Sequence, residues 1–483
     1  MKILRDAIQT LATTLGLQVL GVTRSIFLPL LLSPAQLGIW NLMSICIGYG
    51  AHIHFGLLHG YNKLLPAYIS RRNFGPGILL RASVQSVNLH LSLIAAFLIT
   101  FYALIYKAQY TVEFLSLAAI VVLQSVFQYC TSTLRSELNF SVLNKGMFLH
   151  SVLMTSFVIL LMLIFENKVL SGLIGVAISF FLSSLFLSGH VEVKYPARFD
   201  LKTTITTFKT GAPVFVLGIG DIILTTSDRW IVALKFSESE LGYYTLAVML
   251  NAIIVMVASS ISNVIYPRLL STFGSGTKST TIENKIIATV NLLSLFLLTL
   301  ISILFFLLPI IITNFFPNYS RSNEVLKVSL FGVYYLSIAN LSTTFVISKN
   351  KQNWLIFLQL LSLSLFVVVF TVTKKIDLEL HQFSILVASI YAAYGTGCLF
   401  IATLLIKGNV KNTMIYCLTL CAPPILIFIT LTKIGSTITT SSLSTAQWTL
   451  LVSVCGLIII ILFKRISKNL KVIFPKSTNS LIL

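Results

Sequence analysis

Acidic side chains are scarce in this chain: 14 Asp and Glu among 483 residues, with all charged residues together at 10%. A soluble globular protein carries about 25% charged residues, so a water-facing surface of normal extent cannot be built from this composition. The low hydrophobicity of a disordered chain is also missing, since 56% of residues are hydrophobic and the mean hydropathy is +0.93. So is the polar alternation that an outer-membrane barrel requires. Cysteine is sparse. Cys46, Cys130, Cys398, Cys417, Cys421 and Cys455 all fall inside apolar runs, without metal-ligand spacing to His. They read as small buried hydrophobes, with no disulfide and no metal centre. No phosphate-binding loop of the form G-x-x-x-x-G-K-[ST] occurs, which excludes ATP hydrolysis as a drive. Ser227-Asp228 has no His base at a defined spacing, so a hydrolase is not expected, and no cofactor is implied.

What is present is a series of apolar runs. A spanning helix needs about 20 mostly apolar residues. Fourteen such runs can be drawn, at 8–32, 37–58, 79–106, 114–133, 146–165, 169–190, 210–234, 242–265, 285–313, 325–347, 354–373, 381–406, 413–432 and 447–463. The chain is therefore expected to be an all-α polytopic membrane protein. The eighth and tenth runs are rich in Ser, Asn and Tyr and are expected to face protein or a cavity. The first run is too long for the apolar part of a signal peptide and is expected to stay in the mature protein. The longest connection, 191–209, leaves no room for a soluble domain.

The basic residues are placed by this topology. Lys and Arg number 34, giving a net charge of +20. Connections after odd-numbered spans hold eight of them: Lys107, Lys168, Lys235, Arg321, Lys327, Lys374, Lys375 and Lys433. The opposite side, with both termini, holds 24; the remaining two, Arg24 and Arg229, lie inside spans. Such a bias predicts a plasma (inner) membrane protein with both termini cytoplasmic. Basic residues scattered over short segments exclude nucleic acid as a partner and suit anionic headgroups of membrane lipids instead.

An internal repeat is visible. Ser33–Leu42 (SPAQLGIWNL) and Ser237–Leu246 (SESELGYYTL) share Ser, Leu-Gly and Leu at a constant offset of 204 residues. That offset spans six helices, an even number, so the copies have the same orientation in the membrane. The expected organisation is an N-terminal six-helix lobe at 1–205, a parallel second lobe at 206–406, two additional helices at 407–463 and a basic cytoplasmic tail at 464–483. Two such lobes are the expected form of an alternating-access transporter.

The run from Arg24 through Leu32-Ser33-Pro34 to Gly38 resembles the first-loop motif of polysaccharide-unit (O-antigen type, Wzx-like) flippases, in which an Arg of the first helix precedes an LGP-x-x-x-G connection. Ser33 stands here in place of the first Gly. Gly56 to Pro66, Gly211-Ala-Pro213, Ser227-Asp228-Arg229-Trp230, Gly242-Tyr243-Tyr244 and Phe316-Pro317-Asn318-Tyr319 resemble further pieces of that family's pattern in its order. The resemblance covers spans 1 to 12. It implies the MOP superfamily, a MATE-like V-shaped fold and a substrate of undecaprenyl-diphosphate-linked sugar units. It also implies drive by a proton or sodium gradient, and partners among other polysaccharide-assembly proteins.

Charges at bilayer depth are costly and normally face a cavity or a partner. Arg24 and Arg229 are candidates for the substrate diphosphate, because the guanidinium fork matches phosphate oxygens in pairs. The competing reading is a structural ion pair, since the repeat places Arg24 opposite Asp228. Asp221, Thr225 and Asp228 share one helix face, and Asp221 is a candidate for ion coupling or sugar contact. Arg81, Gln85 and Asn88 form a polar stripe on span 3, and Gln124, Gln128, Thr131 and Arg135 another on span 4. Gln85, Asn88, Gln124 and Gln128 suit sugar hydroxyls or ordinary interhelical contacts; Arg81 and Arg135 suit the cytoplasmic entrance or headgroup anchoring. His90 is a second coupling candidate. His52 and His54, two apart on one span, are expected to point in different directions and to form no common site with that span alone.

The same residues bear on other functions. A drug exporter would prefer an acidic cavity, whereas two Asp face two Arg here. A glycan polymerase or ligase would carry a large outer loop, which is missing. A peptidoglycan-precursor flippase shares the fourteen spans but favours a more cationic cavity.

Overall fold

The computed structural model describes residues 2–72, 74–106, 110–191, 199–274 and 279–437. Among the described residues every regular element is helical. The order is α1 (Lys2–Leu31), α2 (Pro34–Gly50), α3 (Leu57–Ser70), α4 (Phe74–Tyr106), α5 (Thr111–Ser136), α6 (Phe140–Ile164) and α7 (Lys168–Ser188). There follow α8 (Leu201–Lys235), α9 (Glu238–Gly274), α10 (Ser279–Phe315), a 3-10 turn at Pro317–Tyr319, α11 (Ser322–Ser348), α12 (Gln352–Thr373), α13 (Leu380–Lys407) and α14 (Val410–Thr437). Twelve of these are long and apolar enough to cross a membrane. The second expected span is not one continuous helix: α2 and α3 divide it around residues 51–56. The run at 447–463, Cys455 and the tail at 464–483 lie outside the described residues.

The helix ends follow from local chemistry. Ser33 caps α2 through a reciprocal capping box with Gln36, and Pro34 occupies the first turn, where its missing N–H costs nothing. The Asp200 carboxylate accepts from the Thr203 N–H at 2.8 Å and caps α8. That hydrogen bonding holds the half-buried Asp200 carboxyl below its ordinary pKa. Large apolar side chains cover outward faces: Phe97 and Leu104 on α4 are 67% and 66% exposed. In water such faces would drive association; in a bilayer they are the normal helix exterior.

The chain divides into two compact units, Met1–Thr245 and Leu246–Leu483. In the first, Leu57, Leu58 and Tyr61 of α3 pack with Leu80 and Val84 of α4, Leu134 of α5 and Leu187 of α7. This unit takes in α8 and the first two turns of α9 along with the first six expected spans. Its limit at 245 lies beyond the repeat limit expected at 205. In the second unit, Pro424 lacks the N–H that would pair with the Leu420 carbonyl. The Tyr334 hydroxyl donates to that carbonyl at 2.9 Å, and Tyr335 donates to Cys421 O at 2.8 Å.

Candidate functional site

The two copies of the repeat motif meet. Gly38 lies against the Glu238 carbonyl and the Gly242 amide, and Gly242 lies against the Pro34 carbonyl. Each glycine thus faces the backbone four residues before the other. A Cβ at either position would overlap a carbonyl, so the first turns of α2 and α9 touch through bare backbone. Tyr110, before α5, donates to Glu238 Oε1 at 2.6 Å beside this contact. Its phenol is pushed up to about 12, by desolvation first and then by Glu238.

The four intramembrane charges do not form one cluster. Asp228 is 2% exposed. Its carboxylate accepts from the Arg229 N–H at 2.8 Å and from the Tyr244 hydroxyl at 2.8 Å, with Arg229 Nε at 3.5 Å. Arg229 also donates from its guanidinium to the Thr225 carbonyl. The expected opposition of Arg24 and Asp228 therefore gives way to pairing between sequence neighbours. The i+16 tyrosine on α9 reaches the carboxylate first, and the next residue supplies its counter-charge. Arg24, half-buried on α1, has no hydrogen bond or ion pair among the described residues; it lies in electrostatic reach of His150 on α6. Asp221 is exposed on α8, and its carboxylate likewise has no hydrogen bond among the described residues.

The polar stripes divide between packing and surface. Asn88 of α4 donates to Ser125 O at 3.0 Å and Ser125 Oγ at 3.1 Å on α5. Gln128 of α5 donates to the Ala51 carbonyl at 3.0 Å, where α2 ends. Gln124 is buried beside Gly50, and its Oε1 has no partner among the described residues. Gln85 is half-buried. Arg81 pairs with Glu137 at 2.6 Å, each about a quarter exposed. Arg135 is exposed, as is His90, whose Nδ1 meets the Ser86 carbonyl of its own helix at 2.6 Å.

A feature the sequence reading missed lies in the break of the second span. Phe55 and Gly56 have φ of 44° and 90°, the left-handed region, which a glycine adopts freely and a phenylalanine does not. Because the chain is not helical there, His52 and His54 turn toward each other, with ring centroids 6.1 Å apart, and His59 of α3 comes within 5.2 Å of His54. The expectation that His52 and His54 form no common site is corrected by this turn. The sequence signal was Gly56 two residues after the histidines, which breaks helical periodicity.

Residues 82–279 match a family model described as polysaccharide biosynthesis protein. No curated protein matches the sequence. Among solved structures, the fold is similar to an inward-facing multidrug resistance MATE family transporter of the MOP superfamily. That likeness has a TM-score of 0.63 and 12% identity, covering 82% of this chain and 95% of that one. It is also similar to the lipid II flippase MurJ in an inward closed conformation, with a TM-score of 0.66 and 15% identity, covering 95% and 98%. A third likeness is to the MATE transporter VcmN of Vibrio cholerae, with a TM-score of 0.55 and 12% identity, covering 86% and 97%. The chain thus has an all-helical fold similar to that of MOP-superfamily transporters, with twelve helices among the described residues long and apolar enough to cross a membrane.

Proposed function

We propose that this protein flips undecaprenyl-diphosphate-linked oligosaccharide repeat units, of O-antigen or related surface polysaccharide, from the cytoplasmic to the outer leaflet of the plasma membrane. The observation that carries the reading is Arg24: a guanidinium on a spanning helix, without a carboxylate partner among the described residues. An unpaired cation at that depth is expensive unless an anion visits it, and a diphosphate is such an anion. The polysaccharide family match over 82–279 supports a glycan cargo. A lipid II flippase of similar fold supports a lipid-linked one.

Arg229 serves less well, because Asp228 already neutralises it. Asp221 is available to a cation or a sugar hydroxyl, and Gln85 to a sugar. Arg81 and Arg135 stand at the entrance, assigned to the cytoplasmic side by the charge bias, with both termini on that side. The lobes at 1–205 and 206–406 rock about the bound cargo, driven by an ion gradient. The test is deletion of the gene, followed by surface-glycan and lipid-intermediate analysis. Lipid-linked glycan should accumulate on the cytoplasmic leaflet and surface polysaccharide should disappear. Intact surface polysaccharide in the deletion strain overturns the reading.

A further inference from the structure

The break between α2 and α3 holds two imidazoles, His52 and His54, and α3 brings a third, His59, beside them; the proposed cargo path uses none of the three. The tautomers of two are fixed by what they meet. The Gly56 N–H donates to His54 Nδ1 at 3.1 Å, so that nitrogen is an acceptor and the ring proton sits on Nε2. His52 Nδ1 faces the Gly48 carbonyl at 3.3 Å. A carbonyl only accepts, so here Nδ1 carries the proton and Nε2 is bare. That bare nitrogen lies 4.0 Å from where a Cβ on Gly218 of α8 would sit, against a stretch of helix without a side chain.

We infer that His52, His54 and His59 form a one-proton site, with His52 Nε2 as the receiving atom, and that the proton is the coupling ion of the proposed flippase. The inference rests on that reading for the coupling alone; the proton site stands on the geometry. Protonating His52 at Nε2 breaks no hydrogen bond. Protonating His54 puts a hydrogen on Nδ1, facing the Gly56 N–H, and that bond is lost. Two imidazolium rings 5.2 to 6.1 Å apart repel each other, so the cluster takes up its protons as a coupled unit, one before any second. The proton comes from water and returns to water, with no other bond made or broken.

The surroundings add little charge. From α5, Gln128 binds the Ala51 carbonyl and Arg135 adds a positive charge within reach of His59. From α8, Phe215 contacts the His54 ring at 6.5 Å, and Gly211 lies against the backbone of Gly56 and Gly60. Asp221 follows Gly218 by three residues on the same helix. From α4 and α7, Leu80, Val84 and Leu187 are apolar. The phenol of Tyr61 on α3 is engaged with Thr133 at 3.0 Å and stacks 6.0 Å from Tyr129. Arg24 of α1 lies by His150 of α6 instead.

The site also has a mechanical lever. His54 holds the Gly56 amide, and Phe55–Gly56 is the left-handed joint between α2 and α3. A proton on His52 places a positive charge beside His54, whose Nδ1 lone pair holds the Gly56 amide. Uptake of one proton is thereby linked to the angle of the joint.

The test uses the full chain labelled with nitrogen-15 histidine in lipid vesicles, followed by solid-state magnetic resonance from about pH 5 to 8. His52→Asn, His54→Asn and His59→Gln assign the signals. Asn at 54 keeps an acceptor for the Gly56 amide, so loss of the joint is separated from loss of titration. One imidazolium per protein is expected from the trio, absent in His52→Asn and retained in His54→Asn. Three neutral rings throughout, or two or three charged together, overturn the site. In the deletion strain, His52→Asn should lower surface polysaccharide at least tenfold at equal protein level; wild-type levels overturn the coupling role. If deletion itself leaves polysaccharide intact, the flippase reading fails, and the resonance spectrum still decides the site.

Discussion

Gly38 and Gly242 stand 204 residues apart and occupy the same place on opposite sides of one contact. Each lies on the backbone four residues before the other, at Glu238 and Pro34. Such reciprocity is what a local two-fold relation between repeated segments produces. It leaves no room for a side chain on either side. Gly38→Val or Gly242→Val should therefore cost about 1–3 kcal/mol through forced separation of backbone. Gly21→Ala, where an added Cβ meets nothing within 4 Å, should be neutral or slightly stabilising. Thermal unfolding in detergent, followed by size-exclusion fluorescence, separates the two outcomes.

Arg24 and Arg229 should respond differently to removal. Arg24→Ala is expected to leave the amount of inserted protein near wild type and to lower flipping by roughly 10- to 100-fold, the loss of one or two charge-assisted hydrogen bonds. Arg229→Ala strands the buried Asp228 carboxylate with Tyr244 and the backbone, and should cost about 3–5 kcal/mol in stability. Quantitative blotting beside surface-glycan measurement distinguishes them. Normal glycan in Arg24→Ala at native expression removes Arg24 from the cargo path.

Gln124 and Gln128 are one helical turn apart yet differ in prediction. Gln128→Leu leaves the Ala51 carbonyl without its side-chain donor and should cost about 1 kcal/mol. Gln124→Met removes a buried oxygen that has no partner among the described residues, and should be neutral or stabilising. Paired thermal-shift measurements check the sign of each.

The cap of α8 titrates. Because the fold lowers the pKa of Asp200, its contribution is complete above the unfolded carboxyl value, near 4, and is lost as pH falls through the lower folded value. Asp200→Asn keeps an N-cap acceptor but abolishes this acid-side loss. The Tm difference between about pH 6 and pH 3 should therefore shrink in Asp200→Asn, with little change in Tm at pH 6.

The order of the spanning helices as far as α14 was legible in the sequence because apolar runs of spanning length leave few alternatives. The break at residues 51–56 was not. Hydropathy averages over the turn, and the run 37–58 stays apolar whether or not the backbone is helical. Once the helix was assumed, His52 and His54 were placed on different faces and the cluster vanished. The pairing of Asp228 was missed for a related reason: repeat symmetry suggested a distant partner, while Arg229 and Tyr244 were nearer in sequence. Asn88 and Gln128 were legible as polar positions, but one face pattern serves a wet cavity and a helix contact equally. Only the positions of Ser125 and the Ala51 carbonyl distinguish the two.

The broken second span also bears on how the chain is made. Its two halves have 17 and 14 residues, and neither alone is among the helices long enough to cross a membrane. What completes them arrives later: Gln128 on α5, and the bare backbone of Gly211 on α8, 155 residues after Gly56. At about 5–20 residues per second of synthesis, that interval is roughly 8–30 s. Until Gln128 is made, under half of the way through, the joint carries an unmet carbonyl, and throughout it an unfilled groove. Final seating of the second span is thus a late event in biogenesis, governed by residues the ribosome has yet to deliver.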